Sequence, residues 1–426
     1  MKKYILYISI IILTGCSTIS NYTSINYNLY DFSFEAETKK ENKPSSSLFE
    51  DYYGRYDFYK ETYDIRNEVL IPIDIHIWQK DDGTGNYIND SINRADWKKI
   101  IEYVERFYNQ IEAPSRKVPG VVDYVTTKIH FQLNKVYFTK NSACWKLGQN
   151  INAREGEKLN QIADSLYPKG ISFLKIHVTG ANPRPSGYAV FPEFKESRDH
   201  FVVTFNKEQE IHFNGPDATW AKAQHIAHEL AHDLDLYHIY SLNFNACDQT
   251  KPDYLDDIFG RGENVICPFD TGWDCDYADT IKPCLNNIMG GTKDARYFSP
   301  KQVQRMHRAL MLKSIGKYAI AYNFNSSNFI EITKDEIWDF DFKTFNNIRI
   351  QAGTTLTIKN TIRFIPEAGI YIEEGGKLIL DGGILTNEQV LNSKWKGVKI
   401  QKNKQTTLKQ EDFIEIKNSG KIYGVK

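Results

Sequence analysis

Two histidines four residues apart could bind one metal ion from a single face of a helix. His228 and His232 are the first and last residues of the run HELAH, in which Glu229 follows the first histidine. Residues four apart lie above one another on an α-helix, so both imidazoles can reach the same ion. Glu229 would then lie beside the metal, where a carboxylate can polarise a bound water molecule. The pattern predicts a zinc-binding helix.

A third histidine, His238, completes a candidate ligand set. It lies six residues beyond His232, too far along a straight helix to share the ion. The chain must therefore turn sharply after Leu234. Three neutral imidazoles with an open fourth position are typical of catalytic rather than structural zinc sites. The alternative is a surface helix whose histidines bind no metal.

His225 is a rival ligand on the same helical face. The helical rise of about 1.5 Å per residue separates it from His232 by roughly 10 Å. Zinc–nitrogen bonds of about 2 Å cannot span that distance along a straight helix. We therefore expect His225 to lie outside the ligand set.

Length and charge restrict the class of the protein. The chain has 426 residues, enough for two or three domains with substantial cores. Its formal net charge of −1 gives no reason to expect nucleic acid as a partner.

The first sixteen residues have the pattern of an export signal. Lys2 and Lys3 precede an apolar run over residues 4–13 that is too short to span a membrane. The following LTGC at residues 13–16 resembles a bacterial lipobox, which implies cleavage before Cys16 and lipidation of that cysteine. An ordinary secretory signal is the alternative. We expect a protein of the bacterial cell envelope, anchored by lipid to a membrane at the surface or on the periplasmic side.

Periodicity divides the rest of the chain into three parts. Residues 17–66 are polar without sustained periodicity, which predicts a tether. Residues 67–315 mix strand and helix patterns, which predicts an α/β (α+β) domain that contains the zinc helix. Residues 325–426 contain short alternating strands separated by Gly turns, which predicts a small all-β domain. Its regular spacing favours a parallel β-helix over a β-sandwich. This domain could contact glycan, or it could only stabilise the protein.

Four cysteines cluster downstream of the histidines. In an exported protein they predict two disulfides with three alternative pairings. Cys144 would then be a buried thiol, or a partner that changes this count. The same segment is rich in Asp, which could hold Ca²⁺, although for any individual residue a solvated acidic loop is the slightly favoured alternative. The clustered cysteines are Cys247, Cys267, Cys275 and Cys284.

Residues 228–238 resemble the HExxHxxGxxH motif of the metzincin metalloproteases. The run NIMGG at residues 287–291 resembles the Met-turn of that clan, and residues 284–310 resemble its pappalysin branch. After this turn, Ser299 and Gln302 have the spacing of a helix capping box, with Pro300 at the first helical position. The resemblance covers about residues 67–312.

The resemblance implies a zinc endopeptidase that acts on proteins or peptides. In such an enzyme Glu229 would be the general base, and Met289 would lie beneath the ligands without binding the metal. The strand at residues 201–205 would pair with an extended substrate, unless it is an internal strand of the sheet. The implied zinc ligands are His228, His232 and His238.

Asp235 departs from the motif because it stands where the family has glycine. That glycine usually adopts a left-handed conformation, which Asp tolerates at a cost of about 1 kcal/mol. We expect a turn at Asp235 that returns His238 to the metal. The departure also keeps an alternative open, a non-catalytic surface lipoprotein that binds glycan or protein.

Overall fold

A computed structural model describes most of the chain from residue 67 onwards. The described residues are 22–24, 67–121, 123, 125–147, 152–168, 173–180, 187–190, 200–204, 218–239, 255, 257–258, 284–290, 295–388, 394–401 and 409–425.

The first half of the described chain forms a mixed α/β domain around one twisted sheet. The sheet order is β3-β2-β4-β6-β5, and β7 pairs with the start of β2. The inner strands are parallel, whereas β5 runs antiparallel to β6. The strands are β2 (Glu68–Gln79), β3 (Ile129–Lys140), β4 (Leu174–Val178), β5 (Tyr188–Ala189), β6 (Phe201–Thr204) and β7 (Ile320–Tyr322).

Five α-helices accompany this sheet in the described residues. The longest, α1, buries an apolar stripe from Trp97 to Tyr108, as its helical spacing predicts. Tyr108 donates its hydroxyl hydrogen to the Ala227 carbonyl at 3.0 Å, which ties α1 to α4. The helices are α1 (Ser91–Asn109), α2 (Ser142–Leu147), α3 (Ala153–Leu166), α4 (Ala218–Asp233) and α5 (Pro300–Leu312).

The C-terminal region is an all-β region of parallel strands. Its strands occupy three sheets in turn, so each sheet receives every third strand: β8-β11-β14-β17, β9-β12-β15-β18 and β10-β13-β16-β19. Ile348, Ile370 and Val398 stand in register on neighbouring strands of the first sheet, and all three are buried. The short strand β1 (Tyr22–Ser24) pairs antiparallel with β17 at the edge of that sheet.

The C-terminal region contains twelve described strands, β8 to β19. They are β8 (Phe329–Ile332), β9 (Glu336–Trp338), β10 (Phe342–Thr344), β11 (Asn347–Ile350), β12 (Thr355–Ile358), β13 (Thr361–Phe364), β14 (Ile370–Ile372), β15 (Lys377–Asp381), β16 (Ile384–Asn387), β17 (Val398–Gln401), β18 (Ile414–Lys417) and β19 (Lys421–Ile422).

Buried polar contacts join the two regions. The Asn67 amide donates to the Phe345 carbonyl at 3.0 Å and accepts from the Asn325 backbone at 2.6 Å. Lys343 on β10 donates to the carbonyls of Gly316 and Ala319, in and just after a 3₁₀ helix (Ser314–Tyr318), at 2.9 and 2.8 Å. The C-terminal region is therefore fixed to the segment that follows α5.

The predictions of lipidation and of disulfide bonds concern cysteines of which the structure describes only some. Cys144 is a free, buried thiol, and burial raises its pKa to about 11. Cys284 is buried as well. Lipidation and disulfide pairing stay predictions, because Cys16, Cys247, Cys267 and Cys275 lie outside the described residues. Within the described part of the chain, no helix is both long and apolar enough to cross a membrane.

Candidate metal centre

Three imidazole nitrogens converge at the end of α4. His228 Nε2 lies 2.9 Å from His238 Nε2, and His232 Nε2 lies 3.0 Å from the same atom. Among the described residues, these three histidines are the group whose ligand atoms could hold one metal ion. The structure thus brings all three predicted ligands together.

The turn that returns His238 is a Schellman motif, the two-bond closure that often ends a helix. The Leu236 N–H donates to the Ala231 carbonyl and the Asp235 N–H donates to the His232 carbonyl, both at 2.9 Å. Asp235 occupies the left-handed position with a φ of 74°. The turn expected at Asp235 is therefore present, with Asp in a conformation that favours glycine.

Backbone carbonyls contact the Nδ1 atoms of the two helical histidines, His228 and His232. His228 Nδ1 lies 2.8 Å from the Ile288 carbonyl, and His232 Nδ1 lies 2.7 Å from the Leu236 carbonyl. Since a carbonyl can only accept, each Nδ1 carries the hydrogen in the neutral ring. The Nε2 lone pairs of both rings are then directed at the point of convergence.

Burial keeps the three rings neutral near pH 7. It lowers the pKa of His228, lowers that of His232 well below its usual range, and lowers that of His238 to about 4. Repulsion between the neighbouring imidazoles adds to the effect for His232 and His238. Neutral imidazole is the form that binds a metal cation.

Glu229 directly follows His228 on α4 and is buried, with 6% of its surface exposed. Burial raises the pKa of its carboxyl to about 8. His225 Nε2 lies 3.8 Å from the Glu229 carboxylate, and His225 does not join the three converging nitrogens. Gly187 covers both side chains closely: a Cβ there would lie 2.5 Å from His225 Nε2 and 2.6 Å from Glu229 Cγ.

Met289 lies in a tight turn next to the histidines and is fully buried. The Gly290 N–H donates to the Asn287 carbonyl at 2.9 Å, and the Met289 N–H donates to Asn287 Oδ1 at 3.0 Å. The Met289 carbonyl accepts from the Ile239 N–H at 3.2 Å, just after His238. This turn therefore touches the segment of the third histidine and, through Ile288, the ring of the first.

Helix α5 begins with the predicted capping box. Ser299 Oγ accepts from the Gln302 N–H, and Gln302 Oε1 accepts from the Ser299 N–H. Asp257 accepts from Ser299 Oγ at 2.9 Å and from the Lys301 N–H at 2.7 Å. This Asp belongs to the acidic segment considered for calcium, but here both of its oxygens hold the start of a helix.

Two buried polar contacts near α4 could not be predicted from the sequence. His200 Nδ1 lies 3.2 Å from Asp233 Oδ1, and its Nε2 lies 2.7 Å from Ser314 Oγ. Lys313 Nζ lies 2.7 Å from Asp235 Oδ1. These contacts join segments distant in sequence, so no local spacing could have predicted them.

The edge of the described sheet is β5 and not β6. β6 pairs with β4 on one side and with β5 on the other, so β6 is internal. Of the two interpretations that the sequence allowed for residues 201–205, the structure supports the internal strand. In the described sheet, the outermost strand beside Gly187 is β5.

Residues 172–311 match the peptidase M43 family model, described as pregnancy-associated plasma protein-A. The resemblance to pappalysins is confirmed. The matched segment contains the three histidines, Glu229 and Met289. A search of curated proteins found no match.

Two solved structures of mirolysin are similar to this chain. One is mirolysin in complex with compound 9, and the other is Tannerella forsythia mature mirolysin in complex with a cleaved peptide. Each is 21% identical, has a TM-score of 0.37 and covers 57% of this chain. The match spans 92% of the first of those chains and 91% of the second.

Proposed function

We propose that this protein is a zinc-dependent endopeptidase that hydrolyses peptide bonds of extracellular or periplasmic proteins. The observation that carries the proposal is the convergence of His228, His232 and His238, with the buried Glu229 directly after the first of them on α4. The family match over residues 172–311 supports the same class of reaction.

The donor set fits zinc. Tetrahedral zinc–nitrogen bonds of about 2.0–2.1 Å place neighbouring nitrogens about 3.3 Å apart. The two nitrogen pairs at 2.9 and 3.0 Å need only a small outward shift to reach that spacing. When bound by these three residues, zinc would supply Lewis-acid activation of the attacking water and of the scissile carbonyl.

Glu229 is placed to move the proton. Its side chain is buried, and it directly follows the first candidate ligand, His228, on α4. It can take a proton from the attacking water and return it to the leaving amine. Met289 supports the site from below, since its turn contacts Ile239 and holds Ile288 against His228.

The substrate would bind along β5. An extended peptide can add as a further strand to an edge strand through backbone hydrogen bonds, whatever its side chains are. In the described sheet, Tyr188–Ala189 forms the edge, and the adjoining Gly187 abuts Glu229. A peptide paired there would bring its backbone past the general base.

The C-terminal region is best interpreted as a parallel β-helix. Successive strands visit three sheets in turn, and equivalent apolar residues stack in register. Its contacts with the segment after α5 support a stabilising role. Glycan binding by its outer faces would be a separate activity, testable with a glycan array.

The envelope location rests on Cys16. Metabolic labelling with a fatty-acid analogue should mark the full-length protein and should fail for Cys16→Ser. Release of the Cys16→Ser protein into the medium or the soluble periplasmic fraction is the expected consequence.

The decisive experiment measures zinc content and casein hydrolysis together. The wild-type protein should hold one zinc and cleave casein, and chelation should abolish cleavage until zinc is restored. Glu229→Ala should keep zinc and lose hydrolysis. His238→Ala should lose zinc, whereas the matched control His225→Ala should keep it.

A different result would favour the alternative function. A wild-type protein with neither zinc nor cleavage would indicate a non-catalytic surface lipoprotein that binds glycan or protein.

A further inference from the structure

We propose that the ion pair between Asp235 and Lys313 is a positioning device that holds the turn carrying the third histidine. It rests on the proposed zinc site. The pair ties the end of α4 to the end of α5, and it does so through the one residue at which the motif departs from its usual glycine.

The pair is close and buried. Lys313 Nζ lies 2.7 Å from Asp235 Oδ1, and the two side chains are 8% and 7% exposed. Lys313 caps the C-terminal end of α5, so its backbone is fixed by the hydrogen bond from its N–H to Ala309. A contact between two anchored, buried charges is geometrically exacting, unlike a surface ion pair.

Asp235 stands directly between two elements of the metal centre. The residue after it, Leu236, offers its carbonyl to His232 Nδ1 at 2.7 Å, and three residues after it comes His238. Glycine would adopt the φ of 74° more easily, but it would have no side chain to anchor the turn. The carboxylate thus adds a restraint that glycine cannot provide.

Helix α5 consequently contacts both segments whose backbone carbonyls orient His228 and His232. At its start, Gln302 bonds the Asn287 side chain of the Met289 turn at 2.7 Å, and that turn holds the carbonyl that contacts His228. At its end, Lys313 holds Asp235, whose neighbour contacts His232. One rigid helix therefore sets the distance between the two carbonyls that orient the rings.

The test measures the zinc affinity of the full-length protein by competition with a chromogenic chelator. Asp235→Asn keeps a residue that tolerates the left-handed conformation but removes the charge. Loss of a group that orients a metal ligand typically weakens affinity about 10- to 100-fold, and we expect a loss in that range. The visible spectrum of the cobalt-substituted protein should also change, because the third imidazole would be held less firmly.

Glu388→Gln is the matched control. It removes another buried pair, in which Glu388 lies 3.3 Å from Lys343 with side chains 8% and 5% exposed, in the C-terminal region. The control should lower the unfolding temperature yet leave zinc affinity and the cobalt spectrum unchanged. If Asp235→Asn behaves like this control, the pair is only structural and the proposal is overturned.

Two further variants keep the test informative if Asp235→Asn folds poorly. Lys313→Arg preserves the cation and should retain zinc affinity within about threefold. The double variant Asp235→Gly, Lys313→Met leaves neither charge buried and relieves the strained φ, so it should bind zinc more tightly than Lys313→Met alone. Equal zinc affinities for Lys313→Met and the double variant would count against a positioning role for the pair.

A wild-type protein that binds no zinc would overturn the proposed function itself. That outcome is distinct from a zinc-binding wild type whose affinity is indifferent to Asp235.

Discussion

Gly187 contacts the candidate general base so closely that its lack of a side chain becomes a functional requirement. A Cβ at this position would lie 2.6 Å from Glu229 Cγ and 2.9 Å from Glu229 Cδ, distances that real Cβ atoms do not tolerate. The constraint is spatial, since the carboxylate and the β5 backbone share one small volume.

We predict that Gly187→Ala displaces the Glu229 side chain and lowers kcat/KM about 10- to 100-fold. A misplacement near 1 Å of a catalytic group is enough for a loss of that size. Zinc content should stay at the wild-type level, because none of the three histidines moves. Steady-state kinetics on a peptide substrate and metal analysis check both statements.

Gly353→Ala is the control for this variant. Gly353 has a φ of 78° in the C-terminal region, and a Cβ there would have no atom within 4 Å, so Ala strains the backbone only. It should reduce stability and leave kcat/KM unchanged. Full activity in Gly187→Ala would show that the carboxylate has room to move.

At the scale of elements, the Met289 turn and α5 form one unit. Asn287 and Gln302 exchange hydrogen bonds of 2.7 and 3.2 Å, and both side chains are almost fully buried. The same Asn287 oxygen also accepts from the Met289 N–H. The turn is therefore shaped by a side chain as well as by its backbone.

We expect Asn287→Ala to lower the free energy of unfolding by about 2 kcal/mol. The Gln302 amide would lose its buried partner, and an unsatisfied buried polar group costs about 1–3 kcal/mol. Urea denaturation of the metal-free protein measures the change. Asn134→Ala, which removes a single partly buried contact to Asp74, should cost less. If both variants lowered the free energy of unfolding equally, the coupling between Asn287 and Gln302 would be contradicted.

Short-range residue spacing made several elements of the fold predictable from the sequence. The histidine spacing on α4 and the capping box at Ser299 depend on residues three or four apart, which a sequence displays directly. The apolar stripe of α1 and the alternation of the C-terminal strands are likewise short-range patterns. The sequence therefore predicted the helix that carries the histidines and the parallel all-β region.

The supports of the site were not predictable in the same way. Asp257 caps a helix that begins 43 residues later, and Lys313 pairs with a carboxylate 78 residues earlier. Such contacts arise only when the tertiary fold brings the segments together. The order of β5 and β6 also escaped prediction, because a two-residue strand such as β5 has too few positions to show alternation.

At the scale of the molecule, the α/β domain and the C-terminal region share one hydrophobic core. The core includes Ile315 and Tyr318 after α5 as well as Trp338 and Phe342 from the β strands. Asn67 adds polar contacts at the same junction and is 2% exposed. A continuous core predicts that both regions unfold together.

We predict a single calorimetric transition for the full-length protein, and a lower transition temperature for Asn67→Ala. The substitution leaves the Phe345 carbonyl and the Asn325 N–H without a partner, which should cost about 2 kcal/mol or more. Two well-separated transitions in the wild type would contradict the shared core.

Strand β1 protects one sheet edge of the C-terminal region, and its loss would expose that edge. It covers β17, which among the described strands would otherwise be the last of its sheet. Without that cover, the backbone N–H and C=O groups of Val398–Gln401 would be open to strands of other molecules. Proteolytic trimming past Ser24 should therefore produce aggregates that light scattering detects, whereas trimming only to residue 21 should leave the particle size unchanged.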